Sequence, residues 1–231
     1  MTTKTLTPDQ IQKEQASFIT KVYGWMCGAL MVTGLVSMWT ASTPALVEII
    51  NGNSIIFFGL IIAEFLCVAY LAAAVEKISS QTATIILIGY AALNGLTLSA
   101  LFLIYTSESI AITFFITAGT FGIMSIYGYY TKKDLTTIGN IAFMAMIGLI
   151  IASIVNIFFY NEMLYWITTY AGILIFVTLT AYHTQKIKKM NIIGNEGTEE
   201  DKKEAIMGAL TLYLDFINLF LYLLRIFGRK K

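Results

Sequence analysis

The sequence predicts an all-α integral membrane protein that crosses the bilayer seven times. Three observations predict it. First, 57% of the 231 residues are hydrophobic and 13% are charged, whereas soluble domains run at about 45–50% and about 25%. A soluble chain of this size would lack the polar surface it needs. Second, the apolar residues fall into seven stretches, at about 23–41, 55–75, 83–104, 110–130, 138–159, 165–182 and 206–228. Each is close to the roughly 20 residues that a helix needs to cross a hydrocarbon core. Third, the basic residues collect in alternate loops. Membrane barrels alternate lipid-facing and lumen-facing residues, and runs such as Ile85-Ile86-Leu87-Ile88 do not. The backbone of these stretches must satisfy its own hydrogen bonds, so they are helices.

The elements follow in chain order. Residues 1–22 form a polar tail, expected to be cytoplasmic, without the pattern of a cleaved targeting peptide. In it, Thr7-Pro8-Asp9-Gln10 predicts a short helix along the inner surface, with Thr7 as N-cap and Pro8 in the first turn. Residues 23–228 are expected to form a single membrane domain. Span one carries Gly24, Gly28 and Gly34, read as close helix contacts. Cys27 in span one and Cys67 in span two are read as small apolar filler, since neither has metal or redox spacing. Asn94 and Thr97 in span three and Asn156 in span five are read as helix–helix hydrogen bonds. The one long loop, 183–205, has turn chemistry at Gly194-Asn195-Glu196-Gly197. After it, Thr198 and Asp201 form a capping-box variant that opens the last helix.

Orientation follows from Lys and Arg. The tail holds Lys4, Lys13 and Lys21, and the loops after spans two and four hold Lys77, Lys132 and Lys133. The loop after span six holds Lys186, Lys188, Lys189, Lys202 and Lys203. The loops after spans one, three and five hold no basic residue; their charges are Glu48, Glu108 and Glu162. Eleven against none places the N-terminus in the cytoplasm. Arg225, Arg229, Lys230 and Lys231 contest the pattern, because a full seventh crossing puts them outside. Their charge favours a re-entrant segment, and the length from Ile206 to Gly228 favours a full crossing.

Intramembrane polar residues are expensive, and each is a functional hypothesis. Asp215 lies nine residues into span seven, about 14 Å along the helix and close to mid-membrane. A charged Asp facing lipid there costs at least about 2.5 kcal/mol. Thr211, Asp215, Asn218, Tyr222 and Arg225 recur at intervals of three and four, on one helical face. That stripe predicts a central last helix wrapped by the other six. Glu64 reaches a similar depth in span two. Two carboxyls at one depth can share a proton or bind a cation, and calcium suits hard oxygen ligands. His183, the one histidine, closes span six.

At these residues the chain resembles the Bax inhibitor-1 family, and bacterial members most. The resemblance rests on GALTLYLDFINLFLYLLRIFG at 208–228 and LTAYHTQKIK at 179–188. Further support comes from KVYGWM at 21–26, ALNGLTLSALFLIYT at 92–106 and TFGIMSIYGYYTKKDL at 120–135. The resemblance implies seven helices with the last one wrapped, and therefore a full seventh crossing. It also implies a pH-sensitive calcium leak whose latch is a pair of aspartates on helices six and seven. Asp215 matches the second of these, and His183 stands where the first is expected. Val75 and Glu76 stand where some members carry an Arg, and Glu64 falls where some carry a carboxyl near the calcium site. Two adjacent carboxyls cannot both ionise cheaply, so such a pair keeps a proton. A His beside an Asp favours an ion pair instead.

The expected function is therefore a calcium leak channel of the inner membrane. Asp215, His183, Asn218 and Arg225 are its candidate pH-sensing and gating residues, and Glu64 with Asp215 its candidate calcium or proton site. Two alternatives stand beside it: a regulator that binds a membrane protease or another membrane protein, and a proton-coupled cation antiporter. No enzyme, cofactor or nucleic-acid partner is expected. The chain shows no nucleotide loop, nucleophile elbow or zinc spacing, and one histidine cannot build a multi-histidine metal site.

Overall fold

The computed structural model describes residues 7–231, so Lys4, counted above among the inner basic residues, lies outside the described residues. The described chain is helical: α1 Pro8–Ser42, α2 Pro44–Asn51, α3 Ser54–Ala74, α4 Ser80–Leu98, α5 Leu101–Ile104, α6 Ser107–Tyr130, α7 Thr136–Phe158, α8 Glu162–Met190 and α9 Glu199–Phe227. Seven of these segments, α4 together with α5 being one, are long and apolar enough to cross a membrane. Lipid supplies the cover for side chains such as Ile55, Phe65 and Ile157, all more than three-quarters exposed.

Several boundaries differ from the sequence reading. The tail does not form a separate surface helix. Thr7 does cap, in a reciprocal box with Gln10, but the helix then runs unbroken for 35 residues to Ser42, because no strong breaker intervenes. The connection after α1 folds into α2, with Pro44 at its start. The sixth span does not end at His183; α8 continues to Met190, since Thr184 to Lys189 are all tolerated in a helix. At the start of α9, Thr198 Oγ1 accepts from the Asp201 amide at 3.2 Å. Asp201 Oδ2 accepts from the Gly197 amide at 2.9 Å, so its side chain caps one residue earlier than a standard box.

The chain forms two compact units. The first takes the chain up to Ile104, Lys188–Tyr213 and Lys231; the second takes Tyr105–Ile187 and Leu214–Lys230. In the first unit, α4 packs on both α1 and α3. Gly95 permits the contact with α1, because a Cβ there would stand 2.8 Å from the Thr33 carbonyl oxygen and from Val36 Cβ. The long loop is held against α1. Glu14 accepts from the Gly194 amide at 2.7 Å, Ser17 donates to Glu196 at 2.6 Å, and Lys21 pairs with buried Asp201 at 2.8 Å. Residues 14, 17 and 21 share a helical face, so one edge of α1 carries all three contacts. Gly194 and Gly197 supply the positive φ, 93° and 82°, that the turn requires.

In the second unit, Gly128 of α6 lies against the Ala181 carbonyl of α8, where any side chain would strike backbone. Gln185 bridges α8 to the loop before α7. It donates to the Lys133 carbonyl at 2.8 Å and accepts from the Leu135 amide at 2.9 Å. The glycine assignments above need correction. Gly24, Gly28 and Gly34 have open space where a Cβ would be, and Gly95, Gly128, Gly139 and Gly172 make the close approaches. Small-residue spacing does not say which helical face meets a neighbour.

The last helix has the highest buried share of the seven spans, 67% of an 18-residue window against at most 39% elsewhere. Its 29 residues run without interruption for about 43 Å, more than a core of about 30 Å requires. The tail beyond it is bonded to the end of span three. The Thr106 amide donates to the Arg229 carbonyl at 2.9 Å, and the Lys231 amide to the Ile104 carbonyl at 2.9 Å. Lys231 Nζ donates to the Phe102 carbonyl at 2.7 Å. Span three starts near Lys77 and ends at Ile104, so within the first unit Lys231 lies at the end of that span away from Lys77. The last helix is thus long and apolar enough for the full crossing, and the Phe102 carbonyl receives the Lys231 charge.

Candidate functional sites

Two intramembrane carboxyls anchor two sites, one in each unit. Glu64 sits midway along α3, half-buried. Thr97 Oγ1 donates to its Oε1 at 2.7 Å, and Asn94 Nδ2 donates to its Oε2 at 3.2 Å. Both donors lie on α4, three residues apart and hence on one face. The Tyr213 hydroxyl, from α9, donates to Asn94 Oδ1 at 3.2 Å and lies 2.7 Å from Thr33 Oγ1 of α1. Thr33 also reaches the Ala91 carbonyl at 2.9 Å. Each hydroxyl has one hydrogen, so the chain has two orientations. Either Thr33 donates to Tyr213 and Tyr213 to Asn94, or Tyr213 donates to Thr33 and Thr33 to the Ala91 or Ala29 carbonyl. The expected helix–helix bonds of Asn94 and Thr97 are thus present, with Glu64 as their common target. Tyr213 and Thr33 were not singled out in the sequence. Tyr213 lies two residues from Asp215, about 200° around the helix, so α9 carries polar groups on two faces. That pattern is the signal that reveals it.

Asp215 is 3% exposed. Its Oδ2 lies 2.6 Å from His183 Nδ1, which matches a charge-assisted bond. The His183 side chain is 16% exposed. The helix α8 continues past His183, with Thr184 to Met190 still to follow. The α6–α8 approach at Gly128 and Ala181 lies two residues earlier. Phe216, next to Asp215, is packed by Phe114 and Phe121 of α6 at centroid distances of 5.3 and 5.4 Å.

The rest of the polar stripe is not brought to this pair. Thr211 donates to the Met207 carbonyl at 2.9 Å and Asn218 to the Leu214 carbonyl at 2.8 Å, each on its own helix. Arg225 lies ten residues from Asp215, about 15 Å of rise, beyond side-chain reach. Its guanidinium carbon stands 4.8 Å from the Tyr222 ring and 5.1 Å from the Tyr165 ring. Asn156 does not join two spans; its Oδ1 accepts from the Asn161 amide at 2.8 Å and closes the turn after α7. Glu64 belongs to the first unit and Asp215 to the second, and each is bonded within its own. Among the described residues, no three His, Cys, Asp or Glu side chains gather as a metal site. Cys27 and Cys67 are free thiols.

These features define a multi-pass helical membrane protein that keeps carboxyls at mid-span and satisfies each by hydrogen bonds. The family profile described as "Inhibitor of apoptosis-promoting Bax1" matches residues 15–231. The chain is 49% identical over 216 residues to the inner membrane protein YbhL of Escherichia coli K12, covering 93% of this chain and 92% of that one. It is 44% identical over 214 residues to an uncharacterized protein of Borreliella burgdorferi, covering 93% and 92%. It is 43% identical over 238 residues to the uncharacterized protein RP147 of Rickettsia prowazekii, covering 99% and 98%. The chain belongs to the Bax inhibitor-1 family.

Proposed function

We propose that this protein is a non-enzymatic calcium leak of the inner membrane whose opening is controlled by the proton content of the His183–Asp215 pair. The observation that carries the reading is the 2.6 Å contact between a histidine and an almost fully buried aspartate at mid-span. A buried carboxylate without a partner is strongly unfavourable, so the pair holds α8 and α9 together while the imidazolium is charged. Alkalinisation removes that charge and leaves a net negative site, which favours hydration and a cation. Strong acid removes the carboxylate charge and ends the ion pair from the other side. The pH response then differs from that of a two-aspartate latch, weakened or inverted. Glu64 serves in this reading as a second carboxyl that attracts calcium. Its partners are neutral donors, so it contributes to conduction rather than to pH sensing. Arg225 and Asn218 have no part in the latch.

The reading is tested by calcium flux into liposomes over pH 5 to 9. His183→Asp should change the shape or direction of the pH profile, and curves identical to native remove His183 from the mechanism. Asp215→Asn should abolish or lock the flux, and an unchanged profile counts against a latch at Asp215. Imposing a proton gradient separates a leak from an antiporter, since only coupled exchange is driven by it. The partner-binding alternative has less support, because residues 14, 17 and 21 of the N-terminal segment are already engaged by the chain's own loop.

A further inference from the structure

A cavity of about 290 Å³ opens at the end of the second unit where α7 leaves off and α8 begins, lined by Arg225, Ser153, Asn156, Tyr160, Tyr165 and Thr168. Its volume is roughly ten times the share of one liquid water. Arg225 brings a permanent charge and five N–H donors. Its one hydrogen bond found among the described residues is long, 3.5 Å to Thr169 Oγ1. Two tyrosine rings hold the guanidinium in place, as cation–π packing does, but they do not neutralise it. The other lining groups are suited to donate. Ser153 Oγ is buried without a partner among the described residues. Asn156 gives its oxygen to the Asn161 amide, which turns its NH2 group toward other acceptors. No carboxylate is found among the described lining residues. A site with a cation, spare donors and no acid takes an anion.

Depth identifies the source. Tyr160 is 76% exposed, and Trp166, in ring contact with the lining Tyr165, stacks on Tyr170 with centroids 6.0 Å apart. Exposed tyrosine and tryptophan at a span end mark the headgroup level. We propose that this cavity binds the phosphate of an anionic phospholipid headgroup, with the Arg225 guanidinium as its principal ligand and Ser153 and Asn156 as supporting donors. Arginine presents two parallel N–H groups to two phosphate oxygens, and acyl chains have an exit past Ile157, 77% exposed. The site also explains why a seventh crossing can carry Arg225 outward against the charge rule: the lipid provides the counter-charge.

The test is native mass spectrometry of the full chain in neutral detergent, titrated with phosphatidylglycerol, with phosphatidylcholine as the zwitterionic control. Native protein should retain phosphatidylglycerol in preference to phosphatidylcholine. Arg225→Gln should lower that retention about tenfold, the size expected for a charged hydrogen bond. Asn156→Asp serves where Arg225→Gln folds poorly. It keeps the acceptor for the Asn161 amide, replaces the NH2 donor with an oxygen and brings a negative charge into the cavity, and it should release the lipid to a similar degree. Excess inorganic phosphate distinguishes sources: displacement of the lipid identifies a general phosphate site, and lack of displacement a headgroup site that also uses the acyl chains. Equal retention of phosphatidylglycerol by native protein and by folded Asn156→Asp, shown by an unchanged thermal midpoint, overturns the proposal.

Discussion

Glu64 and Asp215 are both carboxyls at mid-span, yet they are satisfied in different ways. Glu64 receives two neutral donors, Thr97 and Asn94, and is backed by Tyr213 and Thr33. None of the four titrates near neutral pH. Asp215 meets a histidine, a side chain whose charge changes in the physiological range. Glu64 is half-buried and Asp215 almost wholly buried. A carboxyl held by neutral donors tolerates either protonation state at modest cost, whereas one held by a histidine in a dry site is coupled to the proton content of its partner. A mid-span position in the sequence therefore does not mean an equal chemical setting, and the roles proposed for the two sites differ accordingly.

The largest effect expected from this contrast is at the His183–Asp215 pair. Asp215→Ala removes the partner of a largely buried imidazole and should cost about 3 kcal/mol, as breaking a buried ion pair does. Thermal unfolding in detergent measures it. A loss no larger than that of Glu64→Gln would erase the distinction between the sites. Tyr213→Phe comes next. It deletes the hydroxyl between Thr33 and Asn94 and should cost about 1 kcal/mol, while the pH profile of calcium flux keeps its shape. A changed profile would join the two sites into one device. Glu64→Gln is the smallest in stability, at most about 1 kcal/mol, because an amide can still accept from Thr97. In flux it should lower the amplitude and leave the pH dependence in place. The reverse outcome, a shifted profile at full amplitude, would move pH sensing to Glu64.

Much of this was legible from residue to residue. Asp215 and Glu64 stand out because charge within an apolar run is costly wherever the run is placed. The seven spans follow from length and hydropathy, and α1 and α8 run longer than their apolar stretches because amphipathic helix can extend beyond the apolar core. Gly24, Gly28 and Gly34 misled, since their spacing suits close packing but their face does not meet a neighbour. Arg225 appeared in a stripe with Asp215 by periodicity, yet ten residues of rise separate them. A stripe records direction around a helix and not distance along it.

The sequence by itself determined the membrane class, the helices, the loops in which most basic residues lie and the identity of the costly polar groups. Each is a local property, fixed by composition and by the price of placing charge in hydrocarbon. The tertiary structure alone decided that His183 meets Asp215, that Asn94 and Thr97 turn to Glu64, and that Lys231 bonds back to Phe102 at the end of span three. Those contacts join residues some 30 to 130 positions apart. They depend on which faces of two helices cross and at what height, and helix packing allows several crossing geometries for one periodic pattern.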